Sequence, residues 1–101
     1  MHIARIDHSA CLVGESVYVV GGLAQQDDQN KLCSIERIHI DGIFDDNVSK
    51  WELLNLPISL RRNPTLCALD NHSFALMAGE DSSFNLLNDA YKVKTDSVPQ
   101  I

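Results

Sequence analysis

The sequence lacks long apolar runs, clusters of basic residues and closely spaced cysteines. No stretch of its 101 residues approaches the roughly 18 consecutive apolar residues that span a bilayer, so no membrane-spanning segment is predicted. The chain has eight lysines and arginines and fourteen acidic residues, which gives a formal charge of −6, and Arg61-Arg62 is the only adjacent basic pair in the sequence. Nucleic-acid binders usually carry a clustered basic face, so nucleic-acid binding is not expected.

The cysteines, Cys11, Cys33 and Cys67, are odd in number and show no CxxC spacing. This pattern predicts free thiols, two of them in the core, and therefore a reducing compartment. The N-terminus has no charged leader followed by an apolar segment, so no secretory signal is expected. The sequence predicts a cytoplasmic location, with the nucleus as the alternative.

No catalytic, cofactor-binding or metal-binding group is predicted. The acidic pairs lack the alternate-oxygen spacing of a calcium loop. His8-Ser9 and His72-Ser73 are sequence neighbours, and neighbours on a strand point to opposite faces, so neither is a nucleophile–base pair. Metal-ligand spacing is also missing among the four histidines, which are His2, His8, His39 and His72. We therefore expect a protein that is not an enzyme and holds no cofactor.

Strand patterns dominate the chain. Residues 16–20 are rich in β-branched and aromatic side chains and end at Gly21-Gly22, while residues 35–40 alternate between polar and apolar. No segment has helical periodicity, so an all-β fold of short antiparallel strands is predicted. Further strands are predicted at residues 10–13, at 51–54 with Pro57 ending the extended segment, and at 65–69, 73–78 and 89–94.

The chain also repeats itself. Sliding the sequence by 57 residues brings apolar runs, turns and glycines into phase, and a shift of 55 residues does so further on. A deletion in the intervening loop explains the change, because loops tolerate length changes best. The matched pairs are Arg5 with Arg62, Leu12 with Leu69, Ser16 with Ser73, Gly22 with Gly79, and Ile38 with Val93.

The first unit, residues 5–57, carries Tyr18 in an apolar run, the Gly21-Gly22 doublet, a third strand, and Trp51 downstream. These marks resemble the kelch repeat. A side chain at either glycine would obstruct a close backbone approach or forbid a positive φ. Trp51 offers an apolar face to cover the joint between adjacent blades.

The second unit, residues 58–101, is degenerate and incomplete, with about three strands. Ala78-Gly79 replaces the double glycine, and Tyr91 lies two residues before the position aligned with Ile38. The resemblance covers about residues 5–96. It implies antiparallel four-stranded meanders, that is, about two blades of a partial kelch-type β-propeller. Propellers typically close with 4–8 blades, so an exposed sheet edge and blade face predict self-association.

The resemblance also implies that loops at one end of the blades bind a protein partner, here residues 23–34, 56–64 and 80–88. Five residues just before the innermost strands would ring a central channel, where an arginine could hold an acidic peptide. The alternative is that Arg5 and Arg62 brace neighbouring blades, and both roles can coexist. The five predicted partner-binding residues are Arg5, Asp7, Arg61, Arg62 and Asn63.

The expected function is therefore non-catalytic protein–protein interaction, as a partner or substrate receptor or as a scaffold. Two alternatives stay open. One is a fragment of a propeller enzyme of the oxidase or mutarotase type. The other is an incomplete gene product without independent activity.

Overall fold

The computed structural model describes residues 1–2, 4–22, 32–43, 50–81, 83–96 and 99–101, which form two antiparallel β-sheets and almost no helix. Sheet 1 has the order β1-β2-β3-β4, with β1 at Ser9–Val13, β2 at Ser16–Val20, β3 at Leu32–His39 and β4 at Glu52–Ser59. Sheet 2 has the order β5-β6-β7, with β5 at Thr65–Asp70, β6 at Ser73–Met77 and β7 at Ala90–Lys94. A 3-10 turn at Ile40–Gly42 follows β3. The all-β antiparallel prediction is confirmed, and neither sheet closes on itself within the described residues.

Strand β4 corrects the prediction that Pro57 ends the extended segment. The strand continues through Pro57 to Ser59, and the register with β3 shifts at this point, where Cys33 faces Leu56 and Leu32 faces Ser59. Proline lacks the N–H of a ladder but is tolerated at bulges of edge strands, and β4 is an edge strand. The loop predicted at 56–64 is therefore shorter. Residues 32–34 likewise belong to β3, and the predicted loop residues 23–31 lie outside the described residues.

The core lies between the two sheets. Alternate residues of each strand point into this layer, and the rings of Tyr18 and Phe74 meet there with centroids 5.5 Å apart. Aromatic contacts of this kind add about 1 kcal/mol beyond the area that they bury. The buried members of the core are Val13, Tyr18, Val20, Cys33, Ile35, Leu56, Ile58, Phe74, Leu76 and Val93.

The backbone shows where the repeat is in register. Asp7 and Asn63, which both have positive φ, lie 56 residues apart and two residues before β1 and β5. A register shift between Ala68 and Asp70 then makes Leu69 an extra residue in β5, so β2 and β6 correspond at 57 residues. This bulge corrects two sequence matches: the structural counterpart of Arg5 is Arg61, and that of Leu12 is Ala68.

Candidate functional site

Two glycines let the chain cross the ends of β2 and β6 at close range. Gly79 has φ +97°, and a Cβ there would lie 2.5 Å from the Arg62 carbonyl oxygen. Gly22 has φ +83°, and its Cβ would overlap the carbonyl oxygen of Ile6, the structural counterpart of Arg62. Both positions therefore need glycine for conformation and for space. They fix the segments that carry Arg5 and Arg61.

Arg61 is buried between the sheets, with a side chain that is 0% exposed. Its guanidinium forms a bidentate pair with Asp89, with Nη1–Oδ1 at 2.6 Å and Nη2–Oδ2 at 3.0 Å. Nη1 also donates to the Ala78 carbonyl, and Nε donates to the Ser59 carbonyl, both at 3.3 Å. Arg61 thereby ties the end of sheet 1 to β6 and to the start of β7.

We call the contacts around Arg61 the Arg61 joint, and an aromatic ring completes it. The Arg61 guanidinium lies 5.7 Å from the centroid of the Tyr91 ring, and the Tyr91 hydroxyl donates to Asp89 Oδ2 at 3.1 Å. The hydrogen bond from Arg61 holds the pKa of the Asp89 carboxyl below its usual range. Asp89 is thus kept charged, which a buried guanidinium requires.

Arg5 occupies the counterpart of this joint in sheet 1. Its Nη1 donates to the Gly21 carbonyl at 2.8 Å and to Ser34 Oγ at 2.9 Å, and its Nη2 donates to Glu36 Oε2 at 2.7 Å. The side chains of Arg5 and Glu36 are 1% and 0% exposed. The backbone N–H of His2 also donates to Glu36. Arg5 Nε finds no acceptor among the described residues.

Arg62 links the two units at the surface. Its Nη2 and Nε donate to Asp7 Oδ2 at 2.7 and 3.2 Å, and the Asn63 N–H donates to the Asp7 carbonyl at 2.7 Å. Its guanidinium also lies 4.4 Å from the centroid of the Phe84 ring. Three of the five predicted partner-binding residues, Asp7, Arg62 and Asn63, are therefore brought together. Arg5 and Arg61 are instead enclosed in separate joints.

The segment after Gly79 is organised around one carboxylate. Asp81 Oδ1 accepts the N–H groups of Ser83 at 2.8 Å and Asn85 at 3.0 Å, and these bonds lower the pKa of Asp81, with the Asn85 N–H the largest cause. The turn presents Phe84 and Leu86, which are 65% and 84% exposed. We call Asp7, Arg62, Asn63, Phe84 and Leu86 the end surface.

The predicted loop at 80–88 contains no strand in its described residues, which are all but Ser82, whereas Phe84 and Leu86 were not predicted as its exposed residues. The available signal was a set of apolar residues, Phe84, Leu86 and Leu87, inside an otherwise polar turn. Such residues in a loop either pack inward or are displayed, and the sequence does not distinguish the two. Their exposure follows from the hydrogen bonds of Asp81.

The predicted structural residues occupy different environments. Tyr18 is buried in the core and Tyr91 packs at its margin. Trp51 lies outside that core: it is half-buried just before β4, and its carbonyl accepts a hydrogen bond from His2 Nε2 at 2.6 Å.

The three cysteines are free thiols. Burial raises the pKa of Cys11 and of Cys33 to about 11, whereas Cys67 is exposed. Within the described ranges, no three histidine, cysteine or acidic side chains gather closely enough to hold a metal ion. No helix in the described part of the chain is long and apolar enough to cross a membrane.

The fold and the site define an all-β protein of two corresponding antiparallel meanders, each with an arginine joint beside a glycine crossing. No protein-family model matches the chain, and no curated protein is significantly similar to it.

Proposed function

We propose that this chain is a non-catalytic protein–protein interaction module, built as about two blades of a kelch-type β-propeller. Its support is the correspondence between the two meanders, which extends to the positive-φ residues Asp7 and Asn63 and to the glycines Gly22 and Gly79. A kelch unit predicts this order of sequential antiparallel strands. The binding site is the end surface, as expected for loops at one end of the blades.

The observation that carries the function is the exposed Phe84 ring held against the Arg62 guanidinium. Aromatic residues and arginine are enriched at the energetic centres of interfaces. Arg62 is fixed by Asp7, and the loop that presents Phe84 is fixed by Asp81. Little conformational entropy is then lost when a partner binds, which favours affinity.

A peptide-display selection on the immobilised chain tests this function. The selected peptides are measured against the purified protein and against Phe84→Ala. A residue at the centre of an interface contributes about 2 kcal/mol, so Phe84→Ala should weaken binding roughly 30-fold. The matched control is Leu12→Ala, which alters a comparably exposed side chain on sheet 1.

The control variant should bind the selected peptides as the original chain does. Selected peptides that bind equally well to Phe84→Ala would contradict the use of the end surface. A selection that yields no binder to the folded chain would contradict protein binding itself.

A further inference from the structure

Among the described residues, sheet 2 has three strands and sheet 1 has four, and no full strand pairs with the outer edge of β7. Gln100 begins to occupy that edge: Lys94 N–H donates to the Gln100 carbonyl at 2.6 Å, and Gln100 N–H donates to the Lys94 carbonyl at 2.9 Å. Outward-facing backbone groups alternate along a strand, so Lys92 and Ala90 also present theirs at this edge. No other pairing with this edge occurs among the described residues.

Sheet 1 shows what such an edge accepts. There β4 covers β3, and Arg37 of β3 lies opposite Glu52 of β4, with Arg37 Nε and Nη2 3.1 and 3.2 Å from the two carboxylate oxygens. Lys92 is the counterpart of Arg37, since Arg37 faces Tyr18 in β2 and Lys92 faces Ala75, the counterpart of Tyr18, in β6. Lys92 is exposed and makes no ion-pair contact with any described residue, although its charge helps, after the hydrogen bonds from His72 and Ser73, to lower the pKa of Asp70.

We propose that the outer edge of β7 binds an extended segment of a partner protein as an added antiparallel strand, with a carboxylate opposite Lys92. The next two residues of the bound segment are apolar, because they take the places of Leu53 and Leu54 in β4. The backbone of β7 supplies the ladder hydrogen bonds, and Lys92 supplies the selectivity. The proposal rests on the proposed function, protein binding, but assigns a second surface and the chemistry of its ligand.

Lysines on an edge strand also protect against indiscriminate pairing. Lys92 and Lys94 are both exposed on β7, so an apolar strand without acidic residues would bury or crowd their charges. An acidic residue opposite Lys92 removes this penalty. The edge of β7 therefore selects strands by charge: it attracts a strand with an acidic residue opposite Lys92 and rejects an apolar strand without one.

The test uses a fluorescently labelled synthetic peptide with the sequence of residues 51–58, Trp-Glu-Leu-Leu-Asn-Leu-Pro-Ile, titrated with the full chain. Replacing the glutamate of the peptide by lysine should weaken binding at least 10-fold. The protein variant Lys92→Glu should reverse the preference, binding the lysine peptide better than the glutamate peptide. The charge-matched control Lys50→Glu changes another exposed lysine and should leave the order of preference unchanged.

Backbone pairing has a separate readout. In hydrogen exchange, the amides of Ala90 and Lys92 should become protected when the glutamate peptide binds. A peptide N-methylated at the residues that pair with them should lose binding. Equal binding of the two peptides, or a Lys92→Glu variant with unchanged preference, would overturn the proposal, as would no binding at millimolar peptide.

Two further outcomes separate this proposal from the proposed function. Loss of peptide binding in Phe84→Ala would place the peptide on the end surface, which overturns the assignment to β7 but not protein binding. Concentration-dependent dimerisation that Lys92→Glu abolishes would assign the edge to a second copy of the chain and also overturn the proposal.

Discussion

Arg5 and Arg61 stand at corresponding places in the two units, yet they are neutralised in different ways. Each donates to a carbonyl at the end of the second strand, Gly21 for Arg5 and Ala78 for Arg61. Arg5 then pairs with Glu36, within β3, whereas Arg61 pairs with Asp89, just before β7. Because β3 and β7 correspond at 55 residues, Asp89 matches Ser34, and Tyr91 matches Glu36. Both units therefore have the arginine, but its acidic partner stands at a different position in each.

What covers the two arginines also differs. Arg61 lies between the sheets, and its side chain is fully enclosed although its partner Asp89 is 32% exposed. Arg5 lies on the other face of sheet 1, where the His2 N–H contacts its partner Glu36. That face corresponds to the face of sheet 2 that sheet 1 covers, and it leaves Leu12 and Leu53 51% and 42% exposed. A joint of the same design therefore lies between the sheets in one unit and on the outer face of sheet 1, in contact with His2, in the other.

Removing the acid from each joint gives the largest expected effect. Asp89→Ala should lower the free energy of unfolding by about 3–5 kcal/mol, because the Arg61 charge stays buried without a partner. Glu36→Ala should cost about half as much, because Arg5 lies on the face of sheet 1 that sheet 2 does not cover, so water reaches its guanidinium more easily. Urea unfolding followed by circular dichroism measures both.

The most informative result is which of the two variants, Asp89→Ala or Glu36→Ala, loses more free energy of unfolding. The Arg5–Glu36 pair is the less exposed one, at 1% and 0% against 0% and 32% for Arg61 and Asp89. If static burial alone decided the cost, Glu36→Ala would be the more damaging change. That result would show that the face of sheet 1 on which Arg5 lies is no more accessible to water than the layer between the sheets.

The glycine crossings give a smaller effect. Gly79→Ala should cost about 2–3 kcal/mol, since alanine is strained at φ +97° and its Cβ would meet the Arg62 carbonyl. Ala78→Gly is the matched change: Ala78 has φ +57° where sheet 1 has Gly21 at +72°, so glycine should stabilise the chain by roughly 0.5 kcal/mol. Differential scanning calorimetry measures both. A destabilised Ala78→Gly variant would argue against the correspondence of these two positions.

The smallest effect concerns two cysteines at corresponding positions, Cys11 and Cys67. Burial raises the pKa of Cys11 to about 11 from an ordinary 9.0, so roughly 100-fold less thiolate is present at pH 8. Cys33 is suppressed in the same way. One equivalent of a thiol reagent should therefore react fast, and mass spectrometry should locate it at Cys67. Fast labelling of Cys11 would show that β1 and β5 are equally open.

The sequence predicted the strands well because alternation and turn residues are local properties. It misplaced the register of the repeat by one residue at Arg5, because the bulge at Leu69 adds a residue without any turn signal. The prediction that Pro57 ends the strand assumed the usual effect of proline. At a bulge of an edge strand, however, the N–H that proline lacks is not required for a ladder hydrogen bond. The acidic partners Glu36 and Asp89 were not predicted, because an ion pair across strands depends on register and on which face a side chain takes.

The central claim is that two corresponding meanders pack on each other around Arg61. Nuclear Overhauser effects between the ring protons of Tyr18 and Phe74, together with slowly exchanging guanidinium protons of Arg61, test it most directly. Both are expected, because the ring centroids are 5.5 Å apart and the Arg61 guanidinium is held by Asp89 and Tyr91. Two folded sheets without contacts between these rings, and rapidly exchanging Arg61 protons, would contradict it.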